Sequence, residues 1–189
     1  MNYTKQERLL TVENLSLSYR DKVILRDINL HVDNIVRPGA TQGQVIALLG
    51  LSGSGKTQLL RCIAGMQKPC TGSVRLMNHP HDVSTGEVGV VQQAYPLLNH
   101  RTVWSNLTLA THNKAGAKDE AERLLQHFGL ADKKNSYPHE LSGGQRQRIA
   151  IIQQLLCSSH FLLMDEPFSG LDVMAKRRVF DIMLKVSTS

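Results

Sequence analysis

The sequence contains no run of eighteen consecutive apolar residues, so it predicts no membrane-spanning helix, and any link to a membrane must come through another chain. The N-terminal segment MNYTKQERLL is too polar for a secretory signal. Cysteines are few, and the three present form no CxxC pair and no Cys/His cluster with metal-ligand spacing. Such sparse cysteines are typical of the reducing cytoplasm.

The sequence also lacks a dense basic block, although its net charge is +6. The largest basic cluster, Lys176-Arg177-Arg178, is most simply a solvated helix face, so charge alone does not indicate nucleic-acid binding. No internal repeat or low-complexity segment is present. With 189 residues, of which 41% are apolar, the chain is expected to form one globular domain with a substantial core.

A glycine-rich segment at residues 50–57 has the spacing G-x-x-x-x-G-K-[ST]. Residues 44–49 before it predict a strand buried on both faces, and residues 58–64 after it predict a helix. Strand, loop and helix in this order form the context in which the motif cradles phosphate groups. The alternative is an ordinary glycine- and serine-rich turn. The residues assigned to the cradle are Gly50, Ser52, Gly53, Ser54, Gly55, Lys56 and Thr57.

The residue types of this loop suit a nucleoside triphosphate. Glycines let successive backbone amides turn toward phosphate oxygens, and the N-terminus of the following helix adds roughly half a positive charge. Lys56 is expected to reach the β- and γ-phosphates, while Ser52 and Ser54 offer further donors. The Thr57 hydroxyl can ligate Mg²⁺.

Two carboxylates follow a second apolar strand, which is predicted over residues 160–164. Open α/β sheets bind their ligands at the carboxyl ends of the strands, where these acids would lie. Asp165 is expected to hold Mg²⁺ through its coordinated water, and Glu166 to polarise the water that attacks the γ-phosphate. The alternative is an ordinary strand followed by an acidic turn.

A second helix N-terminus offers an anion site in the segment ELSGGQRQR at residues 140–148. Ser142, Gly143 and Gly144 open this helix, and the serine adds a hydroxyl donor. One chain rarely needs two phosphate sites for one nucleotide. We therefore infer that facing chains lend this site to each other and that ATP joins them into a symmetric dimer.

Together these segments resemble the nucleotide-binding subunits of ABC (ATP-binding cassette) proteins over essentially the whole chain. Residues 50–57 resemble their Walker A motif and residues 161–166 their Walker B motif. Leu141-Ser142-Gly143-Gly144-Gln145 matches the family signature letter for letter, and this motif is far more specific than the phosphate loop. The resemblance implies ATP and Mg²⁺ as ligands and ATP hydrolysis as the reaction.

The implied fold class is α/β, with a P-loop NTPase (RecA-like) core sheet, an N-terminal antiparallel β subdomain and an inserted α-helical subdomain. Residues 1–189 would form a single ABC ATPase domain, with the ATP-binding core in residues 1–93 and 159–189 and the helical subdomain in residues 94–158. Local patterns predict antiparallel strands within 9–32, a loop at 33–43, further strands at 73–77 and 88–91, and helices at 102–111, 117–128, 144–157 and 173–186.

The resemblance assigns roles to three further sites. Tyr19 matches the aromatic residue that stacks on adenine. Gln93 matches the Q-loop glutamine, which contacts Mg²⁺ and acts in catalysis, with the neighbouring Gln92 as the alternative. Ser169-Gly170-Leu171-Asp172 resembles the D-loop that crosses the dimer interface.

The implied partners follow from importer-like segments. Residues 94–103 resemble the part of importer subunits that lines a groove for a coupling helix, and residues 137–140 before the signature are also importer-like. The expected partners are a second ABC ATPase subunit, identical or different, and separate transmembrane permease subunits, with no direct contact to nucleic acid. The implied location is cytoplasmic, on the inner face of the cell membrane.

The sequence departs from the family at three points. Residues 33–43 are longer than the usual connection, and Ser52 stands where the family often has proline or a small residue. Family members continue to a strand that ends in a switch histidine, whereas this sequence ends at Ser189, and His160 precedes the Walker B strand. We therefore expect a C-terminally truncated cassette that binds nucleotide weakly at best and hydrolyses little ATP.

Three functions fit these features. The first is the ATPase subunit of an ABC importer, in which dimer closure moves separate membrane subunits. The second is a soluble ABC ATPase of DNA repair, chromosome organisation or translation, although neither coiled-coil or zinc insertions nor a second cassette is present. The third is a non-hydrolysing fragment that pairs with a complete partner, against which the intact Lys56, Asp165 and Glu166 argue.

Overall fold

The computed structural model describes residues 4–36, 44–77, 79–91, 96–111, 116–157, 161–168 and 173–186. The strands are β1 Thr4–Tyr19, β2 Lys22–Val36, β3 Thr71–Leu76, β4 Gly89–Val91 and β5 Leu162–Met164. The helices are α1 Lys56–Ile63, α2 Val103–Ala110, α3 Ala117–His127, α4 Gly143–Cys157 and α5 Val173–Val186, with short 3-10 turns at Ala131–Lys133 and Pro138–Glu140. The backbone divides into two compact units, one of residues 1–85 with 183–189 and one of residues 86–182.

The first unit contains the predicted antiparallel sheet, with strand order β2-β1-β3. Leucine and valine side chains of β1 form its core, because alternate residues of a strand point to one face. The buried apolar residues of the three strands are Leu10, Val12, Leu15, Leu17, Leu25, Val74 and Leu76. Helix α1 contacts β2 and adds Leu59, Cys62 and Ile63 to the buried set. Burial, with a smaller contribution from nearby Cys70, raises the pKa of the Cys62 thiol.

Strand β2 is longer than predicted. The predicted loop begins at Asp33, whereas the strand continues to Val36, which pairs with Thr4. The carboxylate of Asp33 lies 3.5 Å from Lys5 Nζ and 3.6 Å from Arg8 Nε, so two cations of β1 hold this part of the strand. The loop prediction is wrong here because the pairing strand and the cations come from a distant part of the sequence.

Residues 44–49 also differ from the prediction, because they form no regular secondary structure. Leu49 and the neighbouring Leu51 are 88% and 85% exposed. No described strand of the same compact unit pairs with this segment. Apolar composition makes a segment suited to a strand, but the strand forms only where a neighbour pairs with its backbone groups. The prediction of a buried strand is therefore wrong for this segment.

The second unit contains α2, α3 and α4 and the parallel pair β4–β5. Helix α4 contacts α2, α3 and β4. Two consecutive glutamines of α4 bond to the other elements. Gln153 Nε2 donates to the backbone carbonyl of Asn106 in α2 at 3.2 Å, and Gln154 Oε1 accepts from the amide of Val90 in β4 at 3.0 Å. These hydrogen bonds hold the signature helix to both a helix and a strand.

A fully buried asparagine holds the segment that leads into α2. Asn106 is 0% exposed, and its Oδ1 accepts from the backbone amide of Leu98 at 2.8 Å. Its Nδ2 lies 3.1 Å from the carbonyl oxygen of Leu98, 3.2 Å from that of Arg101 and 3.0 Å from that of Thr102. One side chain thus serves several backbone groups that are shielded from water.

We expect Asn106→Leu to lower the free energy of unfolding by about 2–4 kcal/mol. Leucine has a similar volume but leaves the buried amide and carbonyl groups without a partner. Urea unfolding followed by circular dichroism measures the change. Asn135→Leu, on an exposed loop, is the matched control and should change stability by less than about 0.5 kcal/mol. Equal losses in the two variants would show that the Asn106 amide adds no net stabilisation.

Candidate functional site

The glycine-rich loop ends where α1 begins. Lys56 is the first residue of α1, and Gly55 is its N-cap with a φ of 91°. Gly53 also has a positive φ, of 79°. The amide of Ser54 donates to the carbonyl of Leu51 at 3.2 Å and closes a turn inside the loop. The chain therefore reverses directly before a helix N-terminus, a geometry in which backbone amides converge on an anion.

The side chain of Lys56 folds back over this loop. Its Nζ donates to the carbonyl oxygens of Gly50 at 2.9 Å and Leu51 at 2.8 Å. Ser52 is exposed, and Thr57 is half-buried in the first turn of α1. The structure thus brings together the first glycine and the lysine of the motif, and it places an ammonium group across the loop.

Gly55 is required by both its backbone conformation and its surroundings. A Cβ at this position would lie 2.9 Å from Leu25 Cδ2 and 3.2 Å from the carbonyl oxygen of Ile24, both in β2. Its φ of 91° lies in the region that favours glycine. The sharp entry into α1 and its contact with β2 therefore both depend on the missing side chain.

We expect Gly55→Ala to lower the free energy of unfolding by about 1–3 kcal/mol and to weaken nucleotide binding, because the loop must move away from β2. Urea unfolding and titration with ATP measure the two effects. Gly86→Ala is the matched control, because Gly86 has a φ of 100° but a Cβ there would meet no atom within 4 Å. If both variants bind ATP like the unaltered chain, the position of the loop against β2 is irrelevant to binding.

Tyr19 lies at the end of β1, in the same compact unit as the glycine-rich loop. The residue is 44% exposed. Its hydroxyl oxygen lies 2.9 Å from Gln58 Oε1 and 3.3 Å from Gln67 Oε1. The ring is therefore held at its polar end while part of its surface faces solvent and is available for stacking. The sequence analysis did not predict that these two glutamines contact Tyr19.

Asp165 and Glu166 follow β5, as predicted. Val91 pairs with Met164, so β4 and β5 end at the same edge of their parallel pair. Asp165 is half-buried and Glu166 is exposed. Glu166 has a φ of 47°, a conformation that costs a residue other than glycine about 1–3 kcal/mol.

Several predicted residues lie outside the described parts of the chain. They are Gln93, its alternative Gln92, His160 and the D-loop residues 169–172. Gln92 and Gln93 follow β4 directly in the sequence. Their predicted roles stay predictions.

The signature residues lie at the start of α4. The Ser142 hydroxyl accepts from the amide of Gln145 at 3.3 Å, and Gln145 Oε1 accepts from the amide of Ser142 at 2.8 Å. This reciprocal pair is a capping box, which the S-x-x-Q spacing of the sequence could have predicted. Gly143 and Gly144 are exposed, and a Cβ at either would meet no atom within 4 Å. Packing within the described chain therefore does not require glycine at either position.

The chain matches a family model described as ABC transporter over residues 34–169. It belongs to the ABC transporter family. The ABC chain is 32% identical over 188 residues to the ergothioneine transport ATP-binding protein EgtV of Helicobacter pylori (strain G27), a match that covers 95% of the chain and 84% of that protein. It is 34% identical over 187 residues to the arginine transport ATP-binding protein ArtM of Bacillus subtilis (strain 168), a match that covers 93% of the chain and 75% of that protein.

A third relative is longer. The ABC chain is 37% identical over 177 residues to the sulfate/thiosulfate import ATP-binding protein CysA of Synechocystis, covering 90% of the chain but 48% of that protein. Among solved structures, CbiO1 of Clostridium perfringens, part of an ABC transporter complex, superposes with a TM-score of 0.80 at 27% identity, covering 96% of the ABC chain and 74% of CbiO1.

These matches confirm the predicted family and the α/β P-loop NTPase fold class, and the relatives are ATP-binding proteins of transport systems. Proteins of this family bind nucleotide and are generally ATPases. No helix in the described part of the ABC chain combines the length and the apolarity needed to cross a bilayer.

Proposed function

We propose that the ABC chain is the ATP-binding motor subunit of an importer-type transporter and that its complex hydrolyses ATP, whereas the isolated chain is expected to bind nucleotide weakly and to hydrolyse little. The observation that carries this proposal is the glycine-rich loop at the start of α1, with the Lys56 ammonium held across it by two carbonyl oxygens. On binding, Lys56 exchanges these carbonyls for the β- and γ-phosphate oxygens, and the loop amides bind the remaining phosphate oxygens. Tyr19 stacks on the adenine.

The reaction is ATP and water to ADP and phosphate. Glu166 accepts a proton from the attacking water, and Gln93 orients that water. The hydroxyl of Thr57, the carboxylate of Asp165 and the amide oxygen of Gln93 are the hard oxygen donors that Mg²⁺ prefers, so these residues fit that ion. When bound, Mg²⁺ neutralises charge on the phosphates.

Two chains close around ATP, and each contributes its signature residues to the nucleotide of the other. The exposed Gly143 and Gly144, at which a Cβ would meet no atom within 4 Å, support this because they leave room for a phosphate of the facing chain. Gln145 follows them in the signature, and its Oε1 accepts from the amide of Ser142, which caps the helix. The second chain is either identical or another ABC ATPase subunit.

The proposal divides the chain into a core of residues 1–93 and 159–189 and a helical subdomain of residues 94–158. It is supported by the element order, in which α2, α3 and α4 lie between β4 and β5. Residues 94–103 would receive a coupling helix of a separate permease subunit, which places the ABC chain peripherally on the inner face of the membrane. The similarity to CysA, a sulfate/thiosulfate import protein, supports the importer type.

The test is purification of the tagged chain from its native cells in mild detergent. We expect a polytopic membrane protein in fixed proportion and release of phosphate from ATP by the complex. Lys56→Ala is the control, which should keep the membrane partner but release no phosphate. Recovery with ribosomes or nucleic acid instead would favour the soluble ABC ATPase. A complex that contains another cassette and releases phosphate equally with and without Lys56 would favour the non-hydrolysing fragment.

A further inference from the structure

Two glutamines from different parts of the first compact unit converge on the hydroxyl of Tyr19. Gln58 belongs to α1, directly after the lysine and threonine of the glycine-rich motif. Gln67 lies in the segment after α1. Their Oε1 atoms are 2.9 Å and 3.3 Å from the Tyr19 oxygen. Both glutamines are half-buried, whereas Tyr19 is exposed.

The hydrogen-bonding capacity of these groups allows both contacts at once. A tyrosine hydroxyl has one hydrogen to donate and can also accept. Gln67 Nε2 donates to the carbonyl of Lys68 at 3.0 Å, which turns the Gln67 oxygen toward the hydroxyl as the acceptor. The Tyr19 hydroxyl therefore directs its one hydrogen toward the two glutamine oxygens, with the shorter contact to Gln58. The polar end of the phenol is thus held between two acceptors.

The backbone around Gln67 holds this residue in place. Gly65, two residues beyond the end of α1, has a φ of 66°, which reverses the chain. The amide of Gln67 donates to the carbonyl of Arg61 in α1 at 3.1 Å. The amide of Cys70 donates to the carbonyl of Ser16 in β1 at 2.8 Å. The segment that carries Gln67 is thus attached both to the helix and to the strand that ends in Tyr19.

We propose that Gln58 and Gln67 are positioning residues that fix the Tyr19 ring for stacking on the base of the nucleotide. This inference rests on the proposed function, which places the base against Tyr19. Gln58 and Lys56 share the first turns of α1, so one helix carries both the phosphate-binding amine and the anchor of the ring. A ring ordered in advance loses less entropy when the base binds, so the two glutamines raise the affinity for the base without touching it.

The test separates the base from the phosphates by titrating the full chain with ATP and with inorganic tripolyphosphate, which has no base. Tyr19→Phe keeps the ring and removes the hydroxyl, while Gln58→Met and Gln67→Met keep side-chain length and remove the amides. We expect each to weaken ATP binding by about threefold to tenfold, as for one net hydrogen bond, and tripolyphosphate binding by less than about twofold. Gln126→Met, on the exposed face of α3, is the matched control and should change neither affinity.

A double variant tests whether the groups act together. Tyr19→Phe combined with Gln58→Met should lose no more ATP affinity than the weaker-binding single variant, because both changes break the same hydrogen bond. Fully additive losses would overturn the positioning role. Equal losses for ATP and tripolyphosphate in either glutamine variant would also overturn it, because they would place the effect on the phosphate loop.

Tyr19→Ala distinguishes failure of this inference from failure of the proposed stacking. If Tyr19→Ala weakens ATP binding by about tenfold or more while Tyr19→Phe, Gln58→Met and Gln67→Met bind like the unaltered chain, stacking stands and the positioning role is overturned. If Tyr19→Ala itself leaves ATP affinity unchanged while Lys56→Ala removes it, the base does not lie on Tyr19. That result overturns the inference together with the stacking on which it rests.

Discussion

Replacing Lys56 by alanine should reduce the affinity for ATP by about a hundredfold or more. Its ammonium forms two hydrogen bonds with loop carbonyls, at 2.9 Å and 2.8 Å, which hold it across the glycine-rich loop where the phosphates are proposed to bind. A hydrogen bond to a charged group contributes about 1.5–3 kcal/mol, and the proposed role gives the lysine two phosphates to bind. Loss of both contacts accounts for an effect of this size.

Isothermal titration with ATP measures this change, and urea unfolding shows whether the variant is folded. The two hydrogen bonds of the lysine go to carbonyls of its own loop, so we expect stability to fall by no more than about 1 kcal/mol. Lys118→Ala, on the exposed surface of α3, is the control for the loss of one positive charge. Lys56→Arg keeps the positive charge but replaces the compact ammonium with a planar guanidinium, and this variant should still bind ATP poorly. If Lys56→Ala binds ATP with an affinity within threefold of the control, Lys56 does not bind the phosphates.

The helices could be predicted closely because their signals are local. The predicted helix at 102–111 corresponds to α2, and its first residue is the N-cap Thr102, whose Oγ1 accepts from the amide of Ser105 at 3.2 Å. Helix α5 spans Val173–Val186, the predicted limits. Caps and apolar spacing lie within a few residues of each other in the sequence, so no knowledge of the distant chain is needed.

The strands were less predictable because their partners are distant. The extension of β2 to Val36 depends on pairing with Thr4 and on the cations around Asp33. Residues 44–49 have a suitable apolar composition but no paired strand among the described residues of their unit. Amino-acid composition indicates the intrinsic strand propensity of a segment, but a strand forms only where a second strand pairs with it.

In the candidate site, too, local features could be predicted from the sequence and contacts between distant residues could not. The spacing of glycine, lysine and threonine predicts the loop, because each residue type has a local role at the start of α1. The contacts of Tyr19 with Gln58 and Gln67 join residues that are far apart in the sequence, so no local sequence pattern predicts them. The positive φ of Glu166 is likewise a property of the folded chain, since the sequence predicts an acidic residue after the strand but not its backbone conformation.

Replacing Glu166 by glutamine should leave ATP binding within about twofold of the unaltered chain and reduce hydrolysis by about 10²-fold to 10⁴-fold, the usual contribution of a general base. Glutamine has the same length and can occupy the same backbone conformation, so the change removes mainly the proton acceptor. Because ATP stays bound and unhydrolysed, the closed dimer should accumulate at saturating ATP. Hydrolysis is measured as phosphate release by the complex isolated from native cells, and the dimer by sedimentation velocity.

The matched control is Glu7→Gln, which removes one exposed carboxylate from β1 and should change neither hydrolysis nor association. The two readouts separate a chemical role from a structural one. A variant that neither binds ATP nor dimerises would mean that the Glu166 carboxylate supports the fold, because removal of a base alone leaves binding intact. A variant that binds ATP and hydrolyses it at the rate of the Glu7→Gln control would mean that another group takes the proton from water.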